Sequence, residues 1–439
     1  MKNVEVNDLR SALELLESIP GQLVETDVEV DPNAELSGVY RHVGAGGTVE
    51  RPVKPVVIPN EQAKCQEVVH LATEEGFDIR KLLPAPTNTP EDAGPYITLG
   101  MCYASNPKTG ESDVTIHRMC LQSKDEISIF LMPGARHIGY FRELAEAAGE
   151  PLPISVSIGV DPAIEIASCF ESPTTPLGYD ELQAAGAIRK KPVELVQCLT
   201  INERAIANAE YVIEGEILPN VRVREDQNSN TGKAMPEFPG YCGSANPELP
   251  IIKVKAITTR KNPIMQTCIG PSEEHVSMAG IPTEASILAM VDKALPGKCL
   301  NVYNASFGGG KYVTIMQFKK TMPSDEGRQR QAALLAFSAF AELKHVILVD
   351  EDVDIFDIND VMWAMTTRFQ ADVDLITIPG VQCHPLDPSN NPAYHPGIRE
   401  RGVACKAIFD CTVPFDQKDR FQRAQFMDVD PKHWLPDMF

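Results

Sequence analysis

The chain has 439 residues, enough for two or three domains with buried cores, and its formal net charge of −21 argues against nucleic acid or an anionic membrane as a partner. The eleven cysteines are spread evenly and never form a C-x-x-C pair, which is typical of reduced thiols rather than of a disulfide framework or a zinc site. Because the first twenty residues contain no apolar signal region and no apolar run approaches the length of a membrane span, we expect a soluble, cytoplasmic protein.

The N-terminal part of the chain predicts two helices. Asp8 precedes an amphipathic pattern and is expected to cap a helix that Pro20 and Gly21 end. The stretch EQAKCQEVVHLATEEG, residues 61–76, predicts the second helix. An N-terminal domain that contains helices is therefore expected before the first β-rich segment.

The rest of the chain changes in character near residue 261. Between about Pro95 and Ala256 it consists of short β-rich runs separated by turn residues, which indicate a barrel or a sandwich. These runs are PYITLGMCYAS, DVTIHRMCLQ, EISIFLMPG, PISVSIGV, VELVQCLT, AEYVIEGEIL and PIIKVKAITTR. After about Lys261, helical and strand patterns alternate, which indicates an open α/β layer. The alternating patterns are PTEASILAMVDKAL, YVTIMQFK, EGRQRQAALLAFSAFAEL, HVILVD and INDVMWAMTTRF.

The stretch GKAMPEFPGYCG, residues 232–243, holds one carboxylic acid, Glu237, in an apolar and stiff frame. Pro236 and Pro239 fix their own φ angles and push the residues before them towards extended geometry. Burial of a glutamate in such a frame would raise its pKa towards the range of a general acid. The alternative is a surface turn in which Glu237 is solvated, and the stretch alone leaves both interpretations open.

Two other motifs favour structural roles over ligand binding. The run SFGGGK, residues 306–311, lacks the Walker spacing because neither serine nor threonine follows Lys311, so a structural turn is expected. The run DEDVDIFD, residues 350–357, has the alternating carboxylates of a calcium loop, but Ile355 and Val361 stand where that loop needs glycine and glutamate. A strand-end turn followed by a helix cap is expected there instead.

The run SDVTIHRMCLQ, residues 112–122, combines polar and apolar side chains in alternation. On a strand, this alternation would place one set of residues on one face and the second set on the other: Asp113, Thr115 and His117 against Val114, Ile116 and Arg118. An arginine beside Ile116 on an apolar face needs an anionic partner, which a salt bridge to a neighbouring strand would provide. The lone histidines His275 and His384 have no catalytic signature of their own.

Taken together, the motifs resemble those of the UbiD family of reversible decarboxylases, within it the branch that acts on hydroxybenzoates. The resemblance runs nearly end to end through ETDVEVDPNAELSGVYRHVGAGGTV, DVTIHRMCLQ, GARHIG, PTTPLGYDELQAAGAIR, EYVIEGEI, KAMPEFPGY, GPSEEHVSMAGIPTEASI, VDEDVDIFDINDVMWAMTTR and VACKAIFDCTVP. It implies a multidomain α/β (α+β) fold with a central, flavin-reductase-like split β-barrel. It also implies prenylated FMN, Mn²⁺ and K⁺ as cofactors.

The resemblance further implies a cofactor site formed by residues that lie far apart in the sequence. Asp113, His137 and Glu181 are expected around Mn²⁺ and the flavin phosphate, and their oxygen and imidazole atoms suit that ion. Many relatives have asparagine where Asp113 stands, so the carboxylate is a departure from the family pattern. The remaining expected flavin contacts are Thr115, Ile116, His117, Arg118, Met132, Pro133, Arg136 and Lys406.

The resemblance also implies the catalytic residues. Arg118 is expected to face the substrate carboxylate with Glu214 as its acidic partner, and Glu237 becomes the proton donor to the carbon that loses CO₂. His275 and His384 match histidines that this branch places near the substrate ring, where they would orient or deprotonate a phenol. The implied reaction is non-oxidative decarboxylation of 3,4-dihydroxybenzoate to catechol. The alternative substrates are gallate, 4-hydroxybenzoate and vanillate.

Two other functions stay open beside the decarboxylase. A flavin-binding protein without decarboxylase activity would not need Arg118, Glu214 and Glu237 together, and an NAD(P)H-dependent flavin reductase would share the barrel but not explain Glu237. The implied partners are a small aromatic acid, a flavin prenyltransferase that supplies the cofactor, a small accessory subunit, and further copies of this chain in a homodimer or homohexamer.

One departure from the family pattern concerns the N-terminal domain. Relatives carry several tens of residues between the GAGGTV motif and the following PV-x-P segment, whereas here GGTVERPVKPVVIP runs straight across. We expect a segment to be absent near residues 51–53, either by natural deletion or because the sequence omits it, and we favour omission since that segment helps to complete the N-terminal domain. The expected domains are residues 1–100, 101–260 for the barrel and 261–439 for the C-terminal, oligomerising α/β domain.

Overall fold

The computed structural model describes residues 6–18, 52–131, 137–171, 174–394, 397–398, 400 and 402–427. Within these ranges, no helix combines the length and the apolar composition that crossing a membrane requires. The helices are α1 (Leu9–Glu17), α2 (Ile79–Leu82), α3 (His137–Ala148), α4 (Pro162–Ala167), α5 (Leu182–Arg189), α6 (Glu273–Ala294), α7 (Arg328–Ala339) and α8 (Ile358–Arg368). Short 3₁₀ turns lie at Asn60–Gln62, Lys64–Gln66, Ser306–Gly308, Pro323–Asp325 and Phe415–Phe421.

The strands divide the same part of the chain into four sheets. In chain order they are β1 (Val56–Ile58), β2 (Val68–Leu71), β3 (Tyr96–Ile97), β4 (Met101–Ser105), β5 (Ser112–Ile116), β6 (Met119–Leu121), β7 (Glu126–Ile129), β8 (Leu152–Ile158), β9 (Glu194–Gln197), β10 (Arg204–Ile206), β11 (Tyr211–Val223), β12 (Lys233–Pro236), β13 (Cys242–Ser244), β14 (Leu249–Thr259), β15 (Cys299–Asn304), β16 (Val313–Phe318), β17 (His345–Asp350), β18 (Leu375–Gln382) and β19 (Val403–Asp410). The seven predicted β-rich runs all contain strands.

The largest sheet has nine antiparallel strands and curls into a half-barrel. Its order is β3-β6-β7-β14-β11-β8-β4-β5, and β2 adds to β14. The long strand β11 pairs with β8 on one side and β14 on the other, so it organises the middle of the sheet. One face packs on α3 through an apolar core that includes Phe141, and the other packs towards α4 and α5 through a core that includes Leu182.

The predicted helix over residues 61–76 is wrong. Two 3₁₀ turns and the strand β2 occupy this stretch, and β2 runs antiparallel to β14 with Val68 opposite Thr259 and Leu71 opposite Ala256. The backbone groups of Val68 and Val69 are satisfied by the neighbouring strand, and β-branched residues suit such pairing. Tertiary pairing therefore overrode a local pattern that looked helical.

The C-terminal region is an open α/β layer, as predicted. Its sheet has the order β15-β16-β17-β19-β18, with parallel pairing from β16 to β17 and from β17 to β19. Alternate residues of β17 face opposite sides, so Leu348 packs towards α6 and α7 while Val349 packs towards α8. After β17, the acidic run turns and Asp357 caps α8 by accepting from Asn359 N at 2.9 Å. The predicted turn and cap are therefore confirmed.

Helix α6 begins nine residues before the predicted pattern. Ser272 caps it by accepting from His275 N at 3.3 Å, and Pro282 lies inside the helix rather than at its start. At the other end of the chain, Asp8 caps α1 as predicted and accepts from Ser11 N. The early start of α6 matters because its first turns carry His275 towards the interior.

Candidate active site

A cavity of about 190 Å³ lies between the nine-stranded sheet, the β12–β13 hairpin and the C-terminal region. The sheet and the segment after α4 contribute one wall, while α6 and the glycine-rich turn contribute the other. Its lining residues are Thr98, Leu99, Ile116, Arg118, Cys169, Glu171, Met235, Glu237, Cys268, Gly270, His275, Met278, Ala279, Thr283, Lys311 and Phe340. Three predicted catalytic residues, Arg118, Glu237 and His275, therefore meet at one cavity.

Glu237 sits in the turn that joins β12 to β13. Its backbone N donates to Tyr241 O and its carbonyl accepts from Gly240 N, both at 2.9 Å, and Gly240 closes the turn with φ +85°. A Cβ at Gly270 would lie 2.6 Å from Pro236 O, so this glycine lets the neighbouring backbone press directly on the hairpin. The Glu237 side chain is only 16% exposed. Burial raises its pKa, although the Arg118 guanidinium opposes that rise.

Arg118 bridges two carboxylates beside this turn. Its Nη1 donates to Glu237 Oε1 and its Nη2 donates to Glu225 Oε2 at 2.9 Å, while the guanidinium lies 4.4 Å from the centroid of the Phe130 ring. Burial lowers the pKa of Arg118, but Glu237 and Glu225 outweigh that effect and raise it. The predicted anionic partner of Arg118 exists, and two acids share the role.

Glu225 was missed in the sequence, and the prediction that Glu214 pairs with Arg118 is wrong. Glu225 is 1% exposed and also accepts from Tyr96 Oη at 3.0 Å and from Asn246 N at 2.9 Å. Glu214 is fully buried, and its carboxylate is taken up by the loop after β9, where it accepts from Leu199 N at 2.9 Å and from Thr200 N and Oγ1 at 2.7 Å. Glu214 therefore stabilises a loop.

Asp113, His137 and Glu181 come together at a second site on the same sheet. One potential ligand atom from each lies within 4.8 Å of the others, and His137 Nδ1 is 2.8 Å from Asp113 Oδ1. Asp113 and Glu181 are both 3% exposed, and Asp113 Oδ2 is buried without a hydrogen bond from any described residue. Burial and the neighbouring Asp113 raise the pKa of Glu181 well above its ordinary value. A divalent cation would neutralise the negative charges of Asp113 and Glu181 and would give the unpaired Asp113 Oδ2 a ligand-bonding partner.

Strand β5 connects the two sites. Ile116 and Arg118 line the cavity, whereas Asp113 belongs to the carboxylate cluster, as the predicted faces require, but the strand ends at Ile116 and Arg118 follows it. Thr115 and His117 are buried, and Thr115 Oγ1 makes no hydrogen bond to the described residues. The remaining predicted flavin contacts before α3, namely Met132, Pro133 and Arg136, lie outside the described residues, as does the motif at residues 25–49.

Lys406 does not line the cavity, and its predicted contact with the cofactor stays a prediction. It lies on β19, and its Nζ donates to the carbonyl of Ala341 at 2.6 Å and to the carbonyl of Leu343. Burial lowers the pKa of Lys406 to about 8. Because its donors are committed to the loop after α7, Lys406 stabilises that loop.

The two predicted histidines have different positions. His275 lines the cavity, and its Nδ1 is buried with no hydrogen bond to a described residue. Burial lowers its pKa to about 4, so the imidazole is neutral near pH 7. His384 does not line the cavity: its Nδ1 accepts from Leu386 N at 3.1 Å, and its Nε2 lies 3.4 Å from Glu342. His384 is therefore not part of the cavity lining, and its predicted place near a substrate ring stays a prediction.

The aromatic ring of Phe238 separates His384 from the cavity. It stacks on His275 at 6.0 Å between centroids and contacts the edge-on ring of His384 at 4.8 Å. Gly309 has φ +65°, and a Cβ there would overlap the Phe238 ring. The glycine-rich run is thus a structural turn, as predicted, but it also brings Lys311 to the cavity wall, which the sequence did not indicate.

Two family models and several known proteins match this chain over most of its length. Residues 56–273 match the model described as the 3-octaprenyl-4-hydroxybenzoate carboxy-lyase Rift-related domain, and residues 276–411 match the C-terminal domain of the same carboxy-lyase. The gallate decarboxylase of Lactiplantibacillus plantarum is 56% identical, with 96% of this chain and 97% of that protein covered. The expected absence of a segment near residues 51–53 stays a prediction.

Two solved structures extend the comparison. The apo structure of 3,4-dihydroxybenzoic acid decarboxylase from Enterobacter cloacae has a TM-score of 0.90 at 54% identity and covers 99% of this chain and 100% of its own. The UbiD-class enzyme HmfF from Pelotomaculum thermopropionicum, in an evolved dimeric form with prFMN, has a TM-score of 0.79 at 31% identity over 96% of this chain and 97% of its own. The chain therefore belongs to the UbiD family of carboxy-lyases.

Proposed function

We propose that this chain is a prenylated-FMN-dependent decarboxylase of hydroxybenzoic acids, with 3,4-dihydroxybenzoate as its best substrate. The observation that carries the proposal is the largely buried Glu237–Arg118–Glu225 arrangement at the cavity. The names of the similar proteins support the substrate class, because gallate and 3,4-dihydroxybenzoate share adjacent ring hydroxyls. Gallate is therefore the closest alternative, followed by 4-hydroxybenzoate and vanillate.

One cluster of this chain's residues fits a divalent cation. Asp113, His137 and Glu181 would hold Mn²⁺, since two carboxylates and an imidazole form a donor set that this ion accepts. Thr115 and Ile116 of strand β5 would contact the flavin, and K⁺ is the second cation that we propose. When bound, prenylated FMN supplies the electron sink that an aryl carbanion lacks.

Arg118 would bind the substrate carboxylate, and Glu237 would donate the proton. The Nε–H of Arg118 is buried and makes no hydrogen bond to a described residue, so it is available to a substrate carboxylate. Glu225 holds the guanidinium in place from the other side. Because burial raises the pKa of Glu237, its carboxyl can deliver a proton to the ring carbon that loses CO₂.

The function is tested with protein produced beside a flavin prenyltransferase. The absorption spectrum reports the bound flavin, and CO₂ release is assayed on 3,4-dihydroxybenzoate, gallate, 4-hydroxybenzoate, vanillate and benzoate. CO₂ release from the hydroxylated acids supports the proposal. A protein that retains the flavin but releases no CO₂ from any of them would be a flavin-binding protein, and NAD(P)H oxidation instead would indicate a reductase.

His275→Phe should narrow the preference for hydroxylated substrates. In the wild type, the open Nδ1 of His275 is a buried polar atom that a ring hydroxyl can satisfy and that unsubstituted benzoate leaves unpaired. We expect 3,4-dihydroxybenzoate to be turned over best, gallate or 4-hydroxybenzoate next, and benzoate hardly at all. The variant should lose about tenfold in kcat/KM on the hydroxylated acids. His345→Phe, at a half-buried histidine that does not line the cavity, is the control. An unchanged preference in His275→Phe would remove His275 from the site.

Glu181→Ala should reduce retained metal and flavin together. A divalent ion that bridges protein carboxylates and a phosphate couples the two affinities, so losing a ligand weakens both. Metal analysis and flavin absorbance on the purified variant measure the two quantities side by side. The exposed Glu194→Gln is a control on the same half of the chain. If Glu181→Ala is inactive yet keeps both groups in full, Glu181 has another role.

The domain organisation and the assembly are also proposals. We assign the curled sheet to a flavin-reductase-like split barrel and keep the division at about residues 100 and 260, noting that β2 and β3 join the sheet from before residue 101. We further propose a cytoplasmic homodimer or homohexamer whose C-terminal domain mediates assembly. A small accessory subunit is a further expected partner. Sedimentation of the protein, alone and coexpressed with candidate small subunits, tests the oligomeric state and the accessory subunit.

A further inference from the structure

A third carboxylate, Glu342, lies behind the cavity wall in the loop between α7 and β17. Its Oε2 accepts a hydrogen bond from Lys311 Nζ at 2.8 Å and lies 3.4 Å from His384 Nε2. Its side chain is 15% exposed and does not line the cavity. Glu342 Oε2 is therefore in contact with Lys311, which lines the cavity, and with His384, which does not.

The protonation of His384 follows from its contacts. Leu386 N donates to Nδ1 at 3.1 Å, so Nδ1 carries no proton and the ring proton is on Nε2, which faces Glu342. Burial lowers the pKa of His384 to about 4, although Glu342 opposes that effect, so the ring is neutral near pH 7. The carboxylate of Glu342 is thus in direct contact with the Lys311 ammonium, and it also acts electrostatically on Lys406.

Lys311 has a long side chain with many rotamers, so the position of its ammonium group depends on the group that holds it. Its Nζ is 5.6 Å from the centroid of Phe340, which lines the cavity, and 5.8 Å from the centroid of Phe238, which does not. We propose that Glu342 is a positioning residue that holds the Lys311 ammonium at the cavity wall, where it meets the ring hydroxyls of a catechol-type acid. This inference rests on the proposed function and adds a residue that acts through Lys311.

Glu342→Gln keeps the shape of the side chain and removes its charge. In the holoenzyme, KM for 3,4-dihydroxybenzoate should rise about five- to tenfold, because a contacting pair is lost, while kcat changes less than about twofold. The preference for 3,4-dihydroxybenzoate over 4-hydroxybenzoate should narrow. Glu342→Asp, which keeps the charge, should recover part of the lost affinity. A purely structural role would lower kcat and thermal stability without this split between KM and kcat.

A double-mutant cycle shows whether Glu342 acts through Lys311. Once Lys311→Met has removed the ammonium, adding Glu342→Gln should raise KM no further. The matched control is Glu351→Gln, which removes a carboxylate 3.0 Å from Lys418 on the same domain and should leave KM unchanged. Effects of Lys311→Met and Glu342→Gln that simply multiply would overturn the proposal.

Calorimetric titration with catechol repeats the comparison without turnover. The wild type should bind catechol about five- to tenfold more tightly than Glu342→Gln does. The single variant Lys311→Met and the double variant Lys311→Met with Glu342→Gln should bind catechol with equal affinity. Absence of CO₂ release by the wild type would count against the proposed function. Equal catechol affinity in the wild type and Glu342→Gln would count against the role of Glu342.

Discussion

Glu237→Gln should retain the fold and the bound flavin but lower decarboxylation by roughly 10²–10⁴-fold, the range expected for loss of a general acid. Glutamine keeps the size of the side chain and can still accept a hydrogen bond from Arg118, but it has no proton to give. Steady-state CO₂ release from 3,4-dihydroxybenzoate measures the loss. In the wild type, solvent deuterium should appear at the carbon that lost CO₂.

The pH dependence provides an independent check on Glu237. Its pKa is raised by burial, and the acid form is the one that donates, so activity should be present at low pH and fall as pH rises through that raised pKa. This alkaline limb should disappear in Glu237→Gln. The exposed Glu248→Gln, which follows the same hairpin, is the matched control and should keep both rate and profile. Wild-type turnover in Glu237→Gln would remove Glu237 as the proton donor.

Arg118→Lys should lower kcat by about 10²–10³-fold, as for loss of an electrostatic contact to reacting charge. The guanidinium of Arg118 binds Glu237 and Glu225 through two separate nitrogens and keeps a third nitrogen as a further donor. The single nitrogen of a lysine ammonium cannot take all three positions. Rates on 3,4-dihydroxybenzoate, beside the denaturation midpoint, separate lost catalysis from lost stability.

The same position has a stability consequence. Arg118→Ala leaves two carboxylates facing each other in a buried site and should destabilise the fold by about 3–5 kcal/mol, the cost of breaking a buried ion pair by removing one partner. The control is Arg222→Lys, whose arginine contacts both oxygens of Glu146 away from the cavity. Normal turnover in Arg118→Lys would show that no forked donor is needed there.

Several features of this protein were already determined by the sequence. The β-rich runs became strands because their alternating, β-branched residues suit a half-buried sheet whichever partner they find. The proline-flanked Glu237 became a turn residue with a largely buried side chain, since its neighbours Met235 and Phe238 are apolar and their backbones are restricted. The resemblance brought together Asp113, His137 and Glu181, which lie on three separate segments that no local pattern links.

Pairings between distant residues were decided only by the tertiary structure. Glu214 and Glu225 are both buried acids near β11, and the loop after β9 occupies the first with three hydrogen bonds, which leaves the second for Arg118. Residues 68–71 became a strand because β14 offered an open edge, and a local helical pattern contains no information about that edge.

The positions of the C-terminal residues show the same limit. His384 and Lys406 match family motifs, yet packing behind Phe238 and bonding to the loop after α7 keep both away from the cavity. Lys311 and Glu342 were not predicted as a pair, because they are 31 positions apart and meet only when the glycine-rich turn packs against that loop. Local propensity and residue type are properties of the sequence, but which buried charge meets which partner depends on how strands, turns and loops pack, and that is a property of the folded chain.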